Sequence, residues 1–220
     1  AVVLSMGYAP NIELAKKAGL EINEKGFIKV DEYLRTNQPD IFAAGDCAEK
    51  RDFFTRKTST TMLASTACAE ARVLGLNLYK LTTPKSFGGT IAIYSTAVGD
   101  TAFATAGMNE KFAIRENFDI ITGTFEGIDR HPGTLPDTYK QVVKLIASKE
   151  NGTLLGGEIA GGKSTGELIN AIGFAIENRM TLSSILTSQI GTHPLLTGSP
   201  AGYPLIKAAE IAYNKCKATA

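Results

Sequence analysis

Three places in the chain combine residue types that could do chemistry. The first is Ile41-Phe42-Ala43-Ala44-Gly45-Asp46, a short apolar run that ends in glycine and a carboxylate. In open parallel sheets ligands sit outside the carboxyl ends of the strands, and this run has the form of such an end. Gly45 permits close backbone approach, and Asp46 emerges at the ligand edge. A carboxylate there is a poor partner for phosphate and a good acceptor for a ligand hydroxyl. A helix expected to open near Ser59 would aim its N-terminal amides at the same crevice and stabilise negative charge there. Gly-Asp is also common in plain turns, so by itself this segment leaves a turn and a ligand edge both open.

The second place is Gly157-Glu158-Ile159-Ala160-Gly161-Gly162-Lys163-Ser164, which satisfies the phosphate-loop pattern GxxxxGK[ST]. A true phosphate loop follows a parallel strand. Here the preceding strand is half of an Asn-Gly hairpin, hence antiparallel, and Ile159 continues its apolar pattern. A tight strand-to-helix turn is the expectation, and a nucleotide-binding ATPase rests on this pattern alone. The third place is His193-Pro194, followed by Leu195, Leu196, Thr197 and Gly198, with no carboxylate among them to orient the imidazole. His131-Pro132, in a turn with Asp129, Arg130, Gly133 and Pro136, reads as a solvated connection. Cys47, Cys68 and Cys216 form no CxxC pair, so packing is expected of them and a reducing compartment, the cytoplasm, of the protein. Lys50, Arg51, Arg56 and Lys57 flank the Asp46 segment and read as a solvated charged loop.

The elements that must position these residues are legible from periodicity. A strand is expected at residues 2–6, a helix at 12–18 with Asn11 as its cap and Gly19 as its stop, and strands at 27–30 and 40–44. A long helix at 59–79 carries a small-residue stripe of Ala64, Ala67, Cys68 and Ala71 that would let a neighbour approach closely. The character changes at Thr82-Thr83-Pro84, where a boundary is expected. Strands follow at 90–95, 102–106, 120–125, 139–148 and 153–159, the last two joined across Asn151-Gly152. Helices are expected at 165–178, with Leu168, Ile169, Ile172 and Ile176 on one face, at 182–187 and at 205–215. The order is a short α/β segment, then strands followed by helices, which is α+β.

With 220 residues and 44% hydrophobic content the chain can build a real core. A net charge of +1, spread along the sequence, suggests no nucleic-acid or membrane partner. No apolar run approaches the roughly 20 residues of a membrane helix. The chain opens inside an apolar β-type run without an initiator Met, which reads as a fragment.

Four stretches in order resemble the pyridine nucleotide–disulfide oxidoreductase family, nearest its NADH oxidase and coenzyme A disulfide reductase branch. They are Gly7-Tyr8-Ala9-Pro10-Asn11 with Ala18-Gly19-Leu20; Gly26-Phe27-Ile28-Lys29-Val30-Asp31; Leu34-Arg35-Thr36 running on through Pro39 to Asp46; and Met62-Leu63-Ala64 continuing to Ala71-Arg72. Gly156-Gly157-Glu158-Ile159-Ala160-Gly161, Gly166-Glu167-Leu168-Ile169 and Thr192-His193-Pro194 resemble its C-terminal dimerisation domain. The resemblance implies a partial FAD-domain α/β segment followed by an antiparallel-sheet-plus-helices dimerisation domain. Residues 1–10 would be the tail of an NAD-binding domain, 11–81 the returning half of the FAD domain and 82–220 the dimerisation domain. It implies that Asp46 binds the ribityl chain of FAD, with Thr36 and Gly45 in the same motif and Met62, Leu63 and Ala64 beside the isoalloxazine. Gly7 would stand on the NAD side, with NADH or NADPH as co-substrate and a homodimer as the assembly. In the disulfide reductases of this family a His-Pro near the C-terminus serves as acid/base across the dimer, which makes His193 a candidate despite the missing carboxylate.

The sequence contains no Gly-x-Gly, so no GxGxxG dinucleotide fingerprint is present in these residues. The expectation is therefore a C-terminal fragment that supplies part of an FAD site and the dimer interface and is inactive alone. The alternative is a stand-alone dimerisation or binding module without flavin chemistry.

Overall fold

The computed structural model describes residues 1–80 and 85–218. The chain divides into two compact units, Ala1–Thr90 and Ile91–Ala220. The boundary expected at Thr82, Thr83 and Pro84 lies outside the described residues.

The first unit contains α1 (Glu13–Lys17), a short hairpin of β1 (Lys50–Arg51) with β2 (Thr58–Ser59), and α2 (Ala64–Asn77). Its core gathers Ile12, Ala15, Ile28, Ala43 and Ala48, with Leu20, Ile22, Val30 and Cys47 packed around them. The strands expected at 27–30 and 40–44 are reduced to isolated bridges: Ile28 meets Ile22 and Ala48, and Phe42 meets Arg35. Left-handed residues at Gly26, Leu34, Asp40 and Gly45 turn the chain before a longer ladder can form. Residues 2–6 form no strand either. Val2 and Met6 are 90% and 91% exposed, and among the described residues no neighbouring strand offers them a ladder. Helix α1 starts behind Ile12 without a side-chain cap, so the cap expected at Asn11 is not made. Gly19, at φ +72, does stop it.

The second unit is a five-stranded antiparallel sheet in the order β3-β4-β7-β6-β5. Its strands are β3 (Tyr94–Val98), β4 (Thr101–Gly107), β5 (Ile120–Ile128), β6 (Lys140–Ser148) and β7 (Leu154–Gly161). The first strand begins later than residue 90, because the β3–β4 hairpin turns at Gly99-Asp100 and pairs Val98 with Thr101. The hairpin at Asn151-Gly152 forms as expected, with Gly152 at φ +70 and the Asn151 side chain accepting from the Thr153 amide. Helices α4 (Thr165–Glu177) and α6 (Pro204–Ala218) cover the sheet, α4 over β4 and β7, α6 over β5 and β6. Ile169, Ile172 and Ile176 of α4 are buried, as their spacing predicts. Two short helices complete the unit: α3 (Glu110–Arg115), capped by Asn109, and α5 (Leu182–Leu186), opened by a Thr181/Ser184 capping box. Among the described residues no helix is long and apolar enough to cross a membrane.

Candidate functional site

The Gly45-Asp46 pair sits on a sharp left-handed turn, with Gly45 at φ +83. The turn is held from both sides. The Gly45 amide donates to Glu70 Oε2 at 2.7 Å, and the Gly45 carbonyl accepts from Lys50 Nζ at 2.9 Å. Lys50 Nζ also reaches the Ala48 carbonyl at 3.0 Å. Asp46 itself is exposed, and its carboxylate makes no hydrogen bond or ion pair among the described residues. The backbone is thus fixed while the acceptor it carries stays open, which suits recognition of a ligand hydroxyl.

Lys50 corrects the expectation of a solvated loop. It is 2% exposed, and its ammonium lies over the Phe27 ring and 3.9 Å from Glu70 Oε1. Burial pushes the Glu70 carboxyl above the usual carboxylate range, against the downward pull of the Gly45 amide and Lys50, while Asp46 adds repulsion.

Helix α2 begins at Ala64 rather than near Ser59. Residues Thr58 and Ser59 pair with β1, and the Ser59 hydroxyl then accepts from the Thr61 amide, which makes a turn before the helix. Leu63 occupies the N-cap in extended conformation, with no side-chain cap and no acid in the first turn. The positive end of the helix dipole is therefore not offset by a capping side chain of Leu63 or by an acid in the first turn. The face of α2 that turns inward is also not the expected stripe. Thr66, Glu70, Val73 and Asn77 are buried, whereas Ala64, Cys68 and Ala71 are exposed. Each buried polar side chain has at least one partner: Thr66 the Thr90 hydroxyl, Glu70 Oε2 the Gly45 amide, Asn77 Nδ2 the carbonyls of Val73 and Lys85, while Glu70 Oε1 and Asn77 Oδ1 make no hydrogen bond among the described residues.

The remaining candidates fall in different places. The Thr36 hydroxyl closes its own turn, donating to the Ile41 carbonyl at 2.9 Å and accepting from the Gln38 amide at 3.2 Å. Gly7 is exposed at φ +77, and next to it the Tyr8 hydroxyl donates to the Met62 carbonyl at 3.3 Å, which brings that segment to Met62, Leu63 and Ala64. Gly45 meets α2 at Ala67, 3.5 Å from where a Cβ would stand. His193 belongs to the second unit. It is exposed, its amide donates to the Thr197 hydroxyl at 3.1 Å, and its imidazole has no hydrogen-bond partner among the described residues.

The Gly157 to Ser164 pattern is a strand and a turn. Strand β7 runs antiparallel to both its neighbours, and the Tyr139 ring stands 2.7 Å from where a Cβ on Gly162 would be. The Thr165 and Gly166 amides bond to Gly162 and Lys163 carbonyls, so they do not line a phosphate cradle. His131 is more than a solvated connection: its amide donates to the Thr197 carbonyl and its carbonyl accepts from Leu195, tying that turn to the His193 loop. The three cysteines are free thiols, and among the described residues no cluster of three His, Cys, Asp or Glu could hold a metal.

Sequence reasoning missed Lys50 and Glu70. The available signal was a single acid on a helix rich in small and apolar residues, with a lysine just beyond the Gly-Asp turn.

The first unit presents an open carboxylate on a braced glycine turn, and the second is an antiparallel sheet backed by helices: a two-part chain of the α+β class. Comparison with known proteins makes the class specific. Residues 1–71 match the family profile described as pyridine nucleotide-disulphide oxidoreductase, and residues 93–201 match that family's dimerisation domain. The chain belongs to the pyridine nucleotide-disulphide oxidoreductase family. It is 29% identical over 217 residues to an NADH oxidase of Methanocaldococcus jannaschii, covering 97% of this chain and 46% of that protein. It is 34% identical over 198 residues to a dihydrolipoyl dehydrogenase of Vibrio cholerae, covering 89% of this chain and 38% of the relative. The structure of a NAD-dependent persulfide reductase from A. fulgidus superposes with a TM-score of 0.85 at 33% identity, covering 96% of this chain and 38% of that one. The chain therefore spans less than half the length of these relatives.

Proposed function

We propose that these residues are part of an NAD(P)H-dependent FAD oxidoreductase, with the first unit supplying one side of the FAD site and the second the homodimer interface. The observation that carries this reading is the open Asp46 carboxylate on a braced glycine turn, in the unit that also presents the uncapped start of α2. The chemistry of the donor set fits FAD: a carboxylate accepts from ribityl hydroxyls, and a helix start with no acid in its first turn favours negative charge. Met62, Leu63 and Ala64 would hold the ring side, Gly45 would let the cofactor approach, and Thr36 would act by shaping the turn that leads to Asp46. Gly7 would lie on the NAD side. FAD, when bound, would accept hydride from NADH or NADPH and pass electrons to oxygen, peroxide or a disulfide.

In domain terms, residues 1–10 belong to the end of an NAD-binding domain, 11–81 to the FAD domain and 82–220 to the dimerisation domain. His193 lies near the partner's flavin without proton transfer, since nothing orients its imidazole. The protein works in the cytoplasm, in keeping with its free cysteines.

The chain of 220 residues carries no GxGxxG, so by itself it is expected to leave NADH unoxidised when FAD is added, and to sediment as a dimer. Spectrophotometry and analytical ultracentrifugation check the two statements. Turnover of NADH by this chain alone, or a species that stays monomeric at high concentration, would contradict them.

A further inference from the structure

Two buried charges stand directly behind the Gly45-Asp46 turn. The side chains of Lys50 and Glu70 are 1% and 0% exposed, and their charged atoms lie 3.9 Å apart. Taking two charges out of water is costly unless good partners receive them, and a pair of apolar residues would fill the same space at less cost. The partners here are concentrated on one residue. Glu70 Oε2 accepts the Gly45 N–H at 2.7 Å, and Lys50 donates to the Gly45 carbonyl at 2.9 Å. Glu70 Oε1 makes no hydrogen bond, and its neighbour is the Lys50 ammonium. One oxygen of the carboxylate thus serves the turn and the other neutralises the lysine.

Apolar residues could pack this space, but they could not satisfy a glycine peptide whose donor and acceptor both point inward. The two grips come from different elements: Lys50 lies on β1 and Glu70 on α2, more than a turn inside the helix. Together they fix the peptide groups on either side of the Gly45 Cα, in the left-handed conformation that sets the direction of the next residue, Asp46. We propose that Lys50 and Glu70 are positioning residues, a buried charge pair that clamps the Gly45 main chain and so aims the Asp46 carboxylate at the FAD hydroxyls. This rests on the FAD reading given above. Neither side chain touches the cofactor; each acts through Gly45.

The test uses the full natural protein that carries this chain, with Glu70→Leu, Lys50→Met and Glu70→Gln, and with Asp46→Ala alongside. Two quantities are read: amide hydrogen exchange at Gly45 in FAD-free protein, and the FAD dissociation constant. Glu70→Leu and Lys50→Met are expected to speed exchange at Gly45 roughly tenfold or more while exchange in β6 stays as in the parent. Both are expected to weaken FAD binding by about tenfold or more. Glu70→Gln keeps an acceptor for the Gly45 amide and stays closer to the parent in both. Unchanged exchange and affinity in the Leu and Met variants overturn the proposal. So does a rise in β6 exchange equal to that at Gly45, which would make the pair a general support of the fold. Equal FAD affinity in the parent and Asp46→Ala sinks the flavin reading instead; faster exchange at Gly45 would then leave the clamp standing and remove its flavin role.

Discussion

Alanine at position 123 is expected to force α6 away from β5 and to lower the stability of the second unit by about 3 kcal/mol. A Cβ on Gly123 would stand 2.1 Å from the Ala208 carbonyl oxygen, 2.5 Å from the Ala212 amide nitrogen and 2.8 Å from the Ala212 Cβ. The obstacle is helix backbone, which no change of rotamer can move aside. Ala208, Ala209 and Ala212 are fully buried on the face that meets the sheet, so the helix is docked at the closest distance that small residues allow. One added methyl must therefore shift the whole element, which places Gly123→Ala at the upper end of the overpacking range. In a unit of this size the melting temperature should fall by roughly 10 °C. Calorimetry on the variant and the parent checks this, and equal melting temperatures would contradict the packing described for β5 and α6.

Gly45→Val should damage both stability and cofactor binding. Its φ of +83 is a conformation that β-branched residues avoid, so valine there costs about 1–3 kcal/mol or shifts the turn. A shifted turn breaks the grip of Glu70 and Lys50 and redirects Asp46, and FAD affinity should fall roughly tenfold or more. Gly19→Val provides the control. Gly19 has φ +72 with nothing within 4 Å of where a Cβ would stand, and it ends α1 away from these contacts. Both variants are expected to melt earlier, and only Gly45→Val to lose FAD. Equal FAD affinity in the two would show that the turn at Gly45 is of no special use.

The antiparallel unit was largely legible in the sequence because its signals are local. Apolar runs on either side of Asn151-Gly152 marked β6, β7 and their hairpin, and the spacing of Ile169, Ile172 and Ile176 marked α4. The first unit was harder to read, because its shape depends on contacts distant in sequence. Apolar residues at 27–30 and 40–44 form bridges rather than strands, since left-handed turns interrupt them. Of the small-residue stripe of α2, Ala67 meets a neighbour at Gly45, while Ala64, Cys68 and Ala71 are exposed. Thr66, Glu70 and Asn77 turn inward because Thr90, Gly45 and Lys85 wait there with matching groups. No periodicity rule anticipates such partners. Asp46 stood out through its motif, whereas Lys50, four residues on, passed for a surface charge because burial of a lysine depends on an acid 20 residues away.

The FAD dissociation constant of the full natural protein, compared between Asp46 and Asp46→Ala, tests the central claim most directly. The Asp46 carboxylate has no partner among the described residues, so its loss should change folding stability by no more than about 0.5 kcal/mol. A hydrogen bond to a charged group contributes about 1.5–3 kcal/mol. Removal of Asp46 should therefore weaken FAD binding roughly 10- to 150-fold while the melting temperature of the FAD-free protein holds. The same dissociation constant in both proteins would contradict the assignment of Asp46 to the flavin.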